Sequence, residues 1–251
     1  MTIGTFNLPR PPPGLSGMDS RLASPWPFMQ EGDFAPTEIE RTAHACLQSL
    51  EAVLAQIEHW RQDGHGLEDI YIHGLAPTAR LLGHWWCCDT ADFAQVTIGS
   101  SNLQRVLHRL SPEFCAPGAD QPKGLSLLLA TEPQSQHTMG AFMLAEFFRR
   151  HGWTVQLLSP QDGEEVLTHL HRDWFDAVAL SVSSDRQLQT LAQWLPQLRV
   201  RSPNPLLHVL VGGPMVMQAP EALRALGVDL AAADARQTVN WLSQQVMTLK
   251  S

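Results

Sequence analysis

His137 is the residue in this sequence best suited to hold a metal. It lies in the segment Ser135-Gln136-His137-Thr138-Met139-Gly140, a short loop beyond an apolar run that ends at Ala130. Neutral imidazole is the commonest protein ligand for metals. The segment therefore offers one candidate metal ligand in a loop that follows a buried strand, and the neighbouring loops decide between this role and an ordinary polar residue at a helix start.

Two further loops carry small residues after apolar runs. One is Ser181-Val182-Ser183 and the other is Gly212-Gly213. Glycine lets a bulky group approach the backbone closely, so we expect a large side chain at Gly213 to block a ligand without unfolding the domain. Together with His137, these loops suit a large, uncharged or weakly charged ligand that contains a metal.

The same loops lack the residues that other common ligands need. A phosphate-accepting receiver domain has several acidic residues after its first strand, and here Glu132 stands alone. The first turn has no G-x-G-x-x-G pattern, and the chain has no G-x-x-x-x-G-K-[ST] phosphate loop. The sequence thus argues against a phosphoacceptor and against the usual nucleotide sites.

Strands and helices alternate through residues 124–251, and this pattern must position the loops. Short apolar runs are separated by amphipathic stretches, and parallel strands need such helical crossovers. The runs cover residues 125–130, 153–158, 177–182, 206–211 and 228–231. We predict an α/β fold, a flavodoxin-like, doubly wound parallel five-stranded sheet in the order 2-1-3-4-5. Such sheets bind ligands beyond the carboxyl ends of their strands, where the strand order reverses.

The first half of the chain has a helical pattern instead. Apolar residues recur at helical spacing from Thr37 to Trp60, from Leu67 to Cys88 and from Ala91 to Leu110. Pro77 is able to kink the second stretch. We predict a flexible proline-rich arm at 1–36, a helical bundle cap at 37–110, a linker at 111–123 and the α/β domain at 124–251.

Composition narrows the class of protein. The 251 residues include 25 acidic and 17 basic side chains, for a net charge of −8, and 44% are hydrophobic. This apolar content excludes a disordered chain, and the negative charge argues against direct binding to nucleic acid. No apolar run reaches the roughly 18 residues of a membrane helix. We expect a cytoplasmic protein with reduced cysteines.

The three loops together resemble the pattern of a cobalamin-binding domain. That family's mark is Asp-x-His-x-x-Gly, followed by Ser-x-Leu and Gly-Gly at the next two loops. Here the elements are Ser135-x-His137-x-x-Gly140, Ser181-Val182-Ser183 and Gly212-Gly213. With the preceding helices, residues 37–251 resemble the AerR/PpaA group of cobalamin-binding regulators. The chain is more distantly similar to CarH-type photoreceptors and to heme-binding SCHIC domains.

The resemblance implies roles for individual residues. His137 would be the lower ligand of cobalt, and the base and tail of cobalamin would enter the sheet between the loops. The residues it places around the tail or beside the cofactor are Ser135, Gln136, Thr138, Gly140, Ser181, Ser183, Gly212, Gly213, Ala233 and Asp234. Ser135 departs from the family's acid, and its hydroxyl donates less electron density to the imidazole than a carboxylate would.

The cap carries its own candidates. The resemblance assigns the tryptophan that covers the upper face to Leu82-Gly83-His84-Trp85-Trp86. Neighbouring side chains on a helix point in different directions, so only one of Trp85 and Trp86 should face the ligand, and we expect it to be Trp86. Val96-Thr97 stands where CarH-type sensors have Glu-His, so an upper protein ligand would be sought elsewhere, His73 and His84 being nearest in sequence. We interpret the adjacent Cys87 and Cys88 as buried small hydrophobic residues.

The resemblance implies a non-enzymatic function. The chain would be a light-responsive, cobalamin-binding transcriptional regulator of the antirepressor type. It would act through a partner transcription factor, a repressor of the CrtJ/PpsR type. Two alternatives stay open: a corrinoid protein of a methyltransferase system, and a heme-binding redox sensor with the same fold.

Overall fold

The chain divides into two compact units, Met1–Val106 and Leu107–Ser251. We describe a computed structural model over residues 29–116, 123–131, 133, 138–182, 185–213, 215–232 and 234–250. None of the helices described in these ranges is long and apolar enough to cross a membrane. The predicted arm lies largely outside the described residues.

The first unit is helical, as its pattern predicts. Its helices are α1 Pro36–Gln48, α2 Leu50–Gln62, α3 Leu67–Asp69, a π-helical segment Ile70–Leu75, α4 Ala76–Cys87 and α5 Phe93–Phe114, which continues into the second unit. Ile39, Trp60, Tyr71 and Leu103 are fully buried and form part of its core.

Two breaks interrupt the helices predicted in this unit. The predicted helix from Thr37 to Trp60 breaks at Ser49, whose backbone is extended and whose side chain accepts a hydrogen bond from the Ala52 amide. Serine is a favoured helix N-cap, so α2 starts afresh there. The second break is the π-helical segment directly before Pro77. Proline lacks the N–H of a regular helix, and the widened turn accommodates it in the first turn of α4.

Helix α5 reaches further than the sequence indicates. Asp92 and Gln95 start it with reciprocal side-chain to backbone hydrogen bonds of 2.8 and 2.9 Å. The helix then runs through Pro112 to Phe114, so residues 111–114 of the predicted linker are helical. The division into two compact units falls inside this helix, between residues 106 and 107.

The second unit contains the predicted parallel sheet. Its strands are β1 Ser126–Ala130, β2 Thr154–Leu158, β3 Ala177–Ser181, β4 His208–Gly212 and β5 Leu230–Ala231. All pairs are parallel, and the order is β2-β1-β3-β4-β5. The α/β prediction and the strand order are confirmed.

Helices cover the sheet and bury its central strands. They are α6 Met139–Arg150, α7 Gly163–Arg172, α8 Asp185–Arg201, α9 Met215–Gln218, α10 Pro220–Ala225 and α11 Ala235–Lys250. Leu128, Val178 and Val209 are fully buried at the centre of β1, β3 and β4. Parallel sheets are buried on both faces in this way, so their ligands reach the strands from the ends.

Candidate functional site

The carboxyl ends of β1, β3 and β4 lie side by side. Ala130 is the partner of Leu180, and Ser181 is the partner of Gly212 across β3 and β4. Adjacent strands are about 4.8 Å apart, so the structure brings together the ends of the three predicted loops. This edge holds the point where the strand order reverses.

Part of the predicted site lies outside the described residues. These residues are Ser135, Gln136, His137, Ser183 and Ala233, and their assigned roles stay predictions. Thr138, the first described residue after the loop that carries His137, directly precedes α6. Its carbonyl accepts a hydrogen bond from the Phe142 amide at 2.8 Å. The loop that carries His137 is therefore bounded by the buried end of β1 and by the first turn of α6.

Gly213 has a structural role that the sequence analysis missed. Its φ is +98°, and a Cβ built on it would lie 2.5 Å from the Val182 carbonyl oxygen. Backbone hydrogen bonds join the same two loops, from Val182 to Gly212 and from Met215 to Val182. A side chain at position 213 would push these loops apart. The expectation that a bulky residue there spares the fold is wrong.

The other two glycines of the edge leave room for a ligand. A Cβ on Gly140, in the first turn of α6, meets no described residue within 4 Å. A Cβ on Gly212 would make only an ordinary contact, 3.5 Å from the Ala232 carbonyl oxygen. Small residues at these two positions are therefore not required by packing within the described structure.

Thr131 is a further polar residue of this edge. It follows β1 directly, is 4% exposed, and its Oγ1 has no hydrogen-bond partner among the residues that the structure describes. A buried hydroxyl without a partner is costly. A polar group that enters the edge would satisfy it. In the sequence, the feature that points to Thr131 is a hydroxyl residue immediately after the apolar run of a buried strand.

Asp234 lies at the start of α11, beside an open groove of about 650 Å³. Its carboxylate accepts a hydrogen bond from the Gln237 amide at 2.6 Å, so it caps the helix. The groove is lined by Asp234, Arg236, Gln237, Asn240, Trp241 and Gln244. Asp234 therefore lies at a concave surface and caps the first turn of α11.

The two adjacent tryptophans of the helical unit differ in exposure. Trp85 is 8% exposed, and its ring lies 4.7 Å from that of His44. Trp86 is only half-buried. Helical geometry separates them as expected, with Trp85 in the core of its unit and Trp86 nearer the surface. Contact of either ring with a ligand stays a prediction.

The two histidines considered as upper ligands contact other side chains. His73 Nδ1 lies 3.6 Å from Asp33 Oδ1, and Arg80 approaches the same buried carboxylate at 3.5 Å. His84 Nε2 lies 3.6 Å from the Cys88 sulfur. His73 Nδ1 is buried and has no hydrogen-bond partner among the described residues, although the Asp33 carboxylate, on the segment that leads into α1, lies nearby.

The interpretation of Cys87 and Cys88 as buried residues is wrong. Both are exposed, whereas Cys46 is buried and Cys115 is half-buried. The pair lies at the end of α4, where the last helical turn leaves the core. Within the described parts of the chain, no group of three or more His, Cys, Asp or Glu side chains is arranged to hold a metal ion.

Fold and edge together define the class: a parallel α/β ligand-binding domain that follows a helical unit. Residues 125–240 match the family model of the B12 binding domain. A relative from Rhodobacter capsulatus, named as an uncharacterized 20.5 kDa protein in the bchF-crtJ intergenic region, is 32% identical over 168 residues. The match covers 67% of this chain and 87% of that protein. The chain belongs to the family of B12-binding-domain proteins, and the resemblance inferred from the loop motifs is confirmed.

One solved structure shares this fold. The Methanosarcina barkeri monomethylamine corrinoid protein aligns with a TM-score of 0.66 at 15% identity, covering 82% of this chain and 97% of its own. A cobalamin-binding protein from Desulfitobacterium hafniense aligns with a TM-score of 0.45 at the same identity, over 82% of this chain and 97% of its own. At this identity the first likeness supports the fold alone.

Proposed function

We propose that this chain binds cobalamin at the carboxyl edge of its sheet, with His137 as the lower ligand of cobalt. The observation that carries the proposal is the B12-binding-domain match, which spans the sheet and all three edge loops. The predicted loop pattern around His137 supports the same site.

The described residues of the edge fit such a ligand. Gly140 and Gly212 leave space near the backbone, and Thr131 offers a buried hydroxyl that has no partner among the described residues. The half-buried Ser181 adds a hydroxyl at the end of β3. Small and neutral groups suit the neutral base and sugar of a nucleotide tail, whereas a free phosphate site would require more positive charge.

Bound cobalamin would supply a cobalt centre whose upper ligand is exchangeable and, in an alkyl form, sensitive to light. His137 would hold the lower side of the ligand. Ser135 is a neutral neighbour, so His137 would lack the electron donation that a carboxylate partner gives. This favours a sensing role over methyl transfer tuned through an acid and histidine pair.

We propose further that the protein is a regulator that acts through a partner, without enzymatic activity of its own. Its net charge of −8 disfavours direct contact with DNA phosphates. The name of the Rhodobacter capsulatus relative places that protein's gene beside crtJ. A repressor of the CrtJ/PpsR type is therefore the partner to test, with light as the signal.

The test is a pull-down with such a repressor immobilised. The full chain is loaded with an alkylcobalamin, divided in two, and kept dark or illuminated until spectroscopy shows photolysis. We expect the captured fraction to differ between the two samples, and the difference to vanish with the ligand-free chain. Equal capture in both states would contradict the light-responsive regulator.

The corrinoid-carrier alternative gives a different result in the same experiment. A carrier would hold cobalamin yet show no capture by the repressor in either state. It would instead exchange a methyl group with a methylated donor when supplied with a methyltransferase. Methyl exchange together with absent capture would replace the regulator proposal by the carrier.

A further inference from the structure

The end of α4 exposes two adjacent thiols. Cys87 is the last residue of the helix and Cys88 is its C-cap, and both are exposed. Burial raises the pKa of the Cys46 thiol to about 12. Burial, followed by the nearby Glu146 carboxylate, raises the pKa of Cys115 to about 11. The accessible thiols of the described chain are therefore concentrated at one helix end.

The two exposed thiols have different surroundings. The Cys88 sulfur lies 3.6 Å from Nε2 and 3.8 Å from Nδ1 of His84, one helical turn earlier. An imidazole beside a thiol can take up its proton and stabilise the thiolate, which is the reactive form. Partial burial, and then the neighbouring Cys88, raise the pKa of Cys87. Cys88 thus has an imidazole beside its sulfur, whereas the pKa of Cys87 is raised.

The backbone at this helix end is strained. The Thr90 amide donates to the Trp85 carbonyl at 2.8 Å, and the Asp89 amide donates to the Trp86 carbonyl at 3.3 Å. These two bonds form a Schellman cap, which places residue 89 in the left-handed region. Asp89 has a φ of +55°, a position that glycine usually occupies at lower cost. The cap is therefore easier to open than one built on glycine.

We propose that Cys87 and Cys88 form a thiol–disulfide switch that reacts with small disulfides such as oxidised glutathione. The Cys88 thiolate attacks one sulfur of oxidised glutathione, forms a mixed disulfide and releases one glutathione thiolate. The Cys87 thiolate then attacks the Cys88 sulfur, closes the Cys87–Cys88 disulfide and releases the second glutathione. The two protons of the protein thiols end on the two glutathione thiolates.

Closing this ring must disturb the end of α4. Adjacent Cα atoms are about 3.8 Å apart, shorter than the roughly 4.4–6.8 Å of an ordinary disulfide. In a helix with about 3.6 residues per turn, neighbouring side chains also point roughly 100° apart, which keeps the two sulfurs from bonding. The peptide between the cysteines must therefore leave helical geometry, and the cap bonds from residues 89 and 90 would be lost. Such strain also makes the bond easy to reduce, which suits a reversible switch. The disturbance would begin one residue from Trp86.

Mass spectrometry of the full chain after treatment with oxidised glutathione tests the switch. Trypsin cuts after Arg80 and Arg105, so Cys87 and Cys88 share one peptide that contains no other cysteine. We expect this peptide to lose two hydrogen atoms, and to recover them with a reductant. Cys46 and Cys115 lie in separate tryptic peptides, serve as internal controls, and should react at least about tenfold more slowly.

Two variants separate the steps. Cys87→Ser should stop at a stable glutathione adduct on Cys88, and Cys88→Ser should give little adduct at position 87. In the wild-type chain, oxidation should speed hydrogen exchange of the amides at 86–92. A lasting mixed disulfide in the wild type, reaction at Cys115 at an equal rate, or unchanged exchange after oxidation would each overturn the proposal.

Discussion

Gly213 shows that a residue at a ligand site can be fixed by the fold itself. Its positive φ and the 2.5 Å approach of a built Cβ to the Val182 oxygen leave no room for a side chain. Gly213→Ala should therefore lower the free energy of unfolding by about 1–3 kcal/mol. Chemical denaturation followed by circular dichroism measures this change.

Gly140→Ala is the matched control for that substitution. A Cβ at position 140 contacts none of the residues that the structure describes, and Gly140 lies in the first turn of α6. Alanine is the better helix former by up to about 1 kcal/mol, so this variant should be as stable as the wild type or slightly more stable. Equal destabilisation by both substitutions would contradict the packing role of Gly213.

His208, at the opposite end of the sheet from the predicted site, should make folding stability depend on pH. Burial lowers its pKa below the ordinary 6.5, with Arg199 acting in the same direction and Asp229 and Asp176 opposing it. Its Nε2 is buried without a hydrogen-bond partner in the described structure, and its ring lies 6.0 Å from that of Trp241. The folded chain thus favours the neutral imidazole.

The sign of the effect follows from linkage. Below pH 6.5 the unfolded chain binds the His208 proton more readily than the folded chain does, so folding stability is lost as the pH falls through this value. His208→Gln should therefore show a smaller drop in its thermal unfolding midpoint between pH 7.5 and pH 5.5. These pH values are chosen to bracket the ordinary histidine pKa, about 6.5. Parallel drops in wild type and variant would refute the contribution.

At the scale of elements, the C-terminal part of α5 is fixed to α6 within the second unit. Ser111 Oγ donates to the buried Glu146 carboxylate at 2.8 Å, and the Arg150 guanidinium donates to the Phe114 carbonyl at 2.6 Å. The rings of Phe114 and Phe147 pack edge to face with centroids 5.0 Å apart. Helix α6 directly follows the loop that carries His137. These contacts therefore fix the helix from which the predicted ligand loop extends.

Ser111→Ala tests how much this contact stabilises the unit. Removing the hydroxyl leaves the buried Glu146 oxygen without that donor, which should cost about 1–2 kcal/mol of unfolding free energy. Ser101→Ala, at an exposed position of the same helix, should change stability by less than about 0.5 kcal/mol. Equal effects of the two substitutions would mean that the Ser111–Glu146 hydrogen bond makes no net contribution to stability.

These elements also show what the sequence could predict. The sequence predicts the five strands because each is a short apolar run between helical stretches, and their parallel order follows from the crossovers. The sequence pattern ends α5 too early, because Pro112 is a strong local signal for a linker. Contacts of Ser111 and Phe114 with α6 are between distant residues, and no local pattern reveals them.

Local sequence patterns predict the position of the edge loops but not the contacts that their residues make. The edge loops were located because small residues follow the apolar runs at Ser181 and Gly212. The packing role of Gly213, the burial of Thr131 and the exposure of Cys87 depend on how separate loops meet in space. Sequence spacing indicates which strand end a residue follows, but it does not show what the side chain contacts.

At the scale of the whole molecule, the net charge bears on the proposed partner-dependent role. A chain with net charge −8 should not retard operator DNA in a gel shift at physiological salt when it is alone. The proposed repressor partner should retard the same DNA, and adding the cobalamin-loaded chain should change that shift. Retardation by the chain alone would contradict the partner-dependent role.

The most direct measurement of the central claim is the absorption spectrum of the full chain after loading with hydroxocobalamin and gel filtration. We predict that corrin bands co-elute with the wild-type protein near one equivalent per chain. His137→Ala should lose the ligand or show a base-on or water-ligated spectrum. His171→Ala, at an exposed position of α7 in the same unit, should match the wild type. Corrin bands unchanged in position and retention in His137→Ala would contradict His137 as the cobalt ligand, and heme bands in place of corrin bands would contradict cobalamin itself.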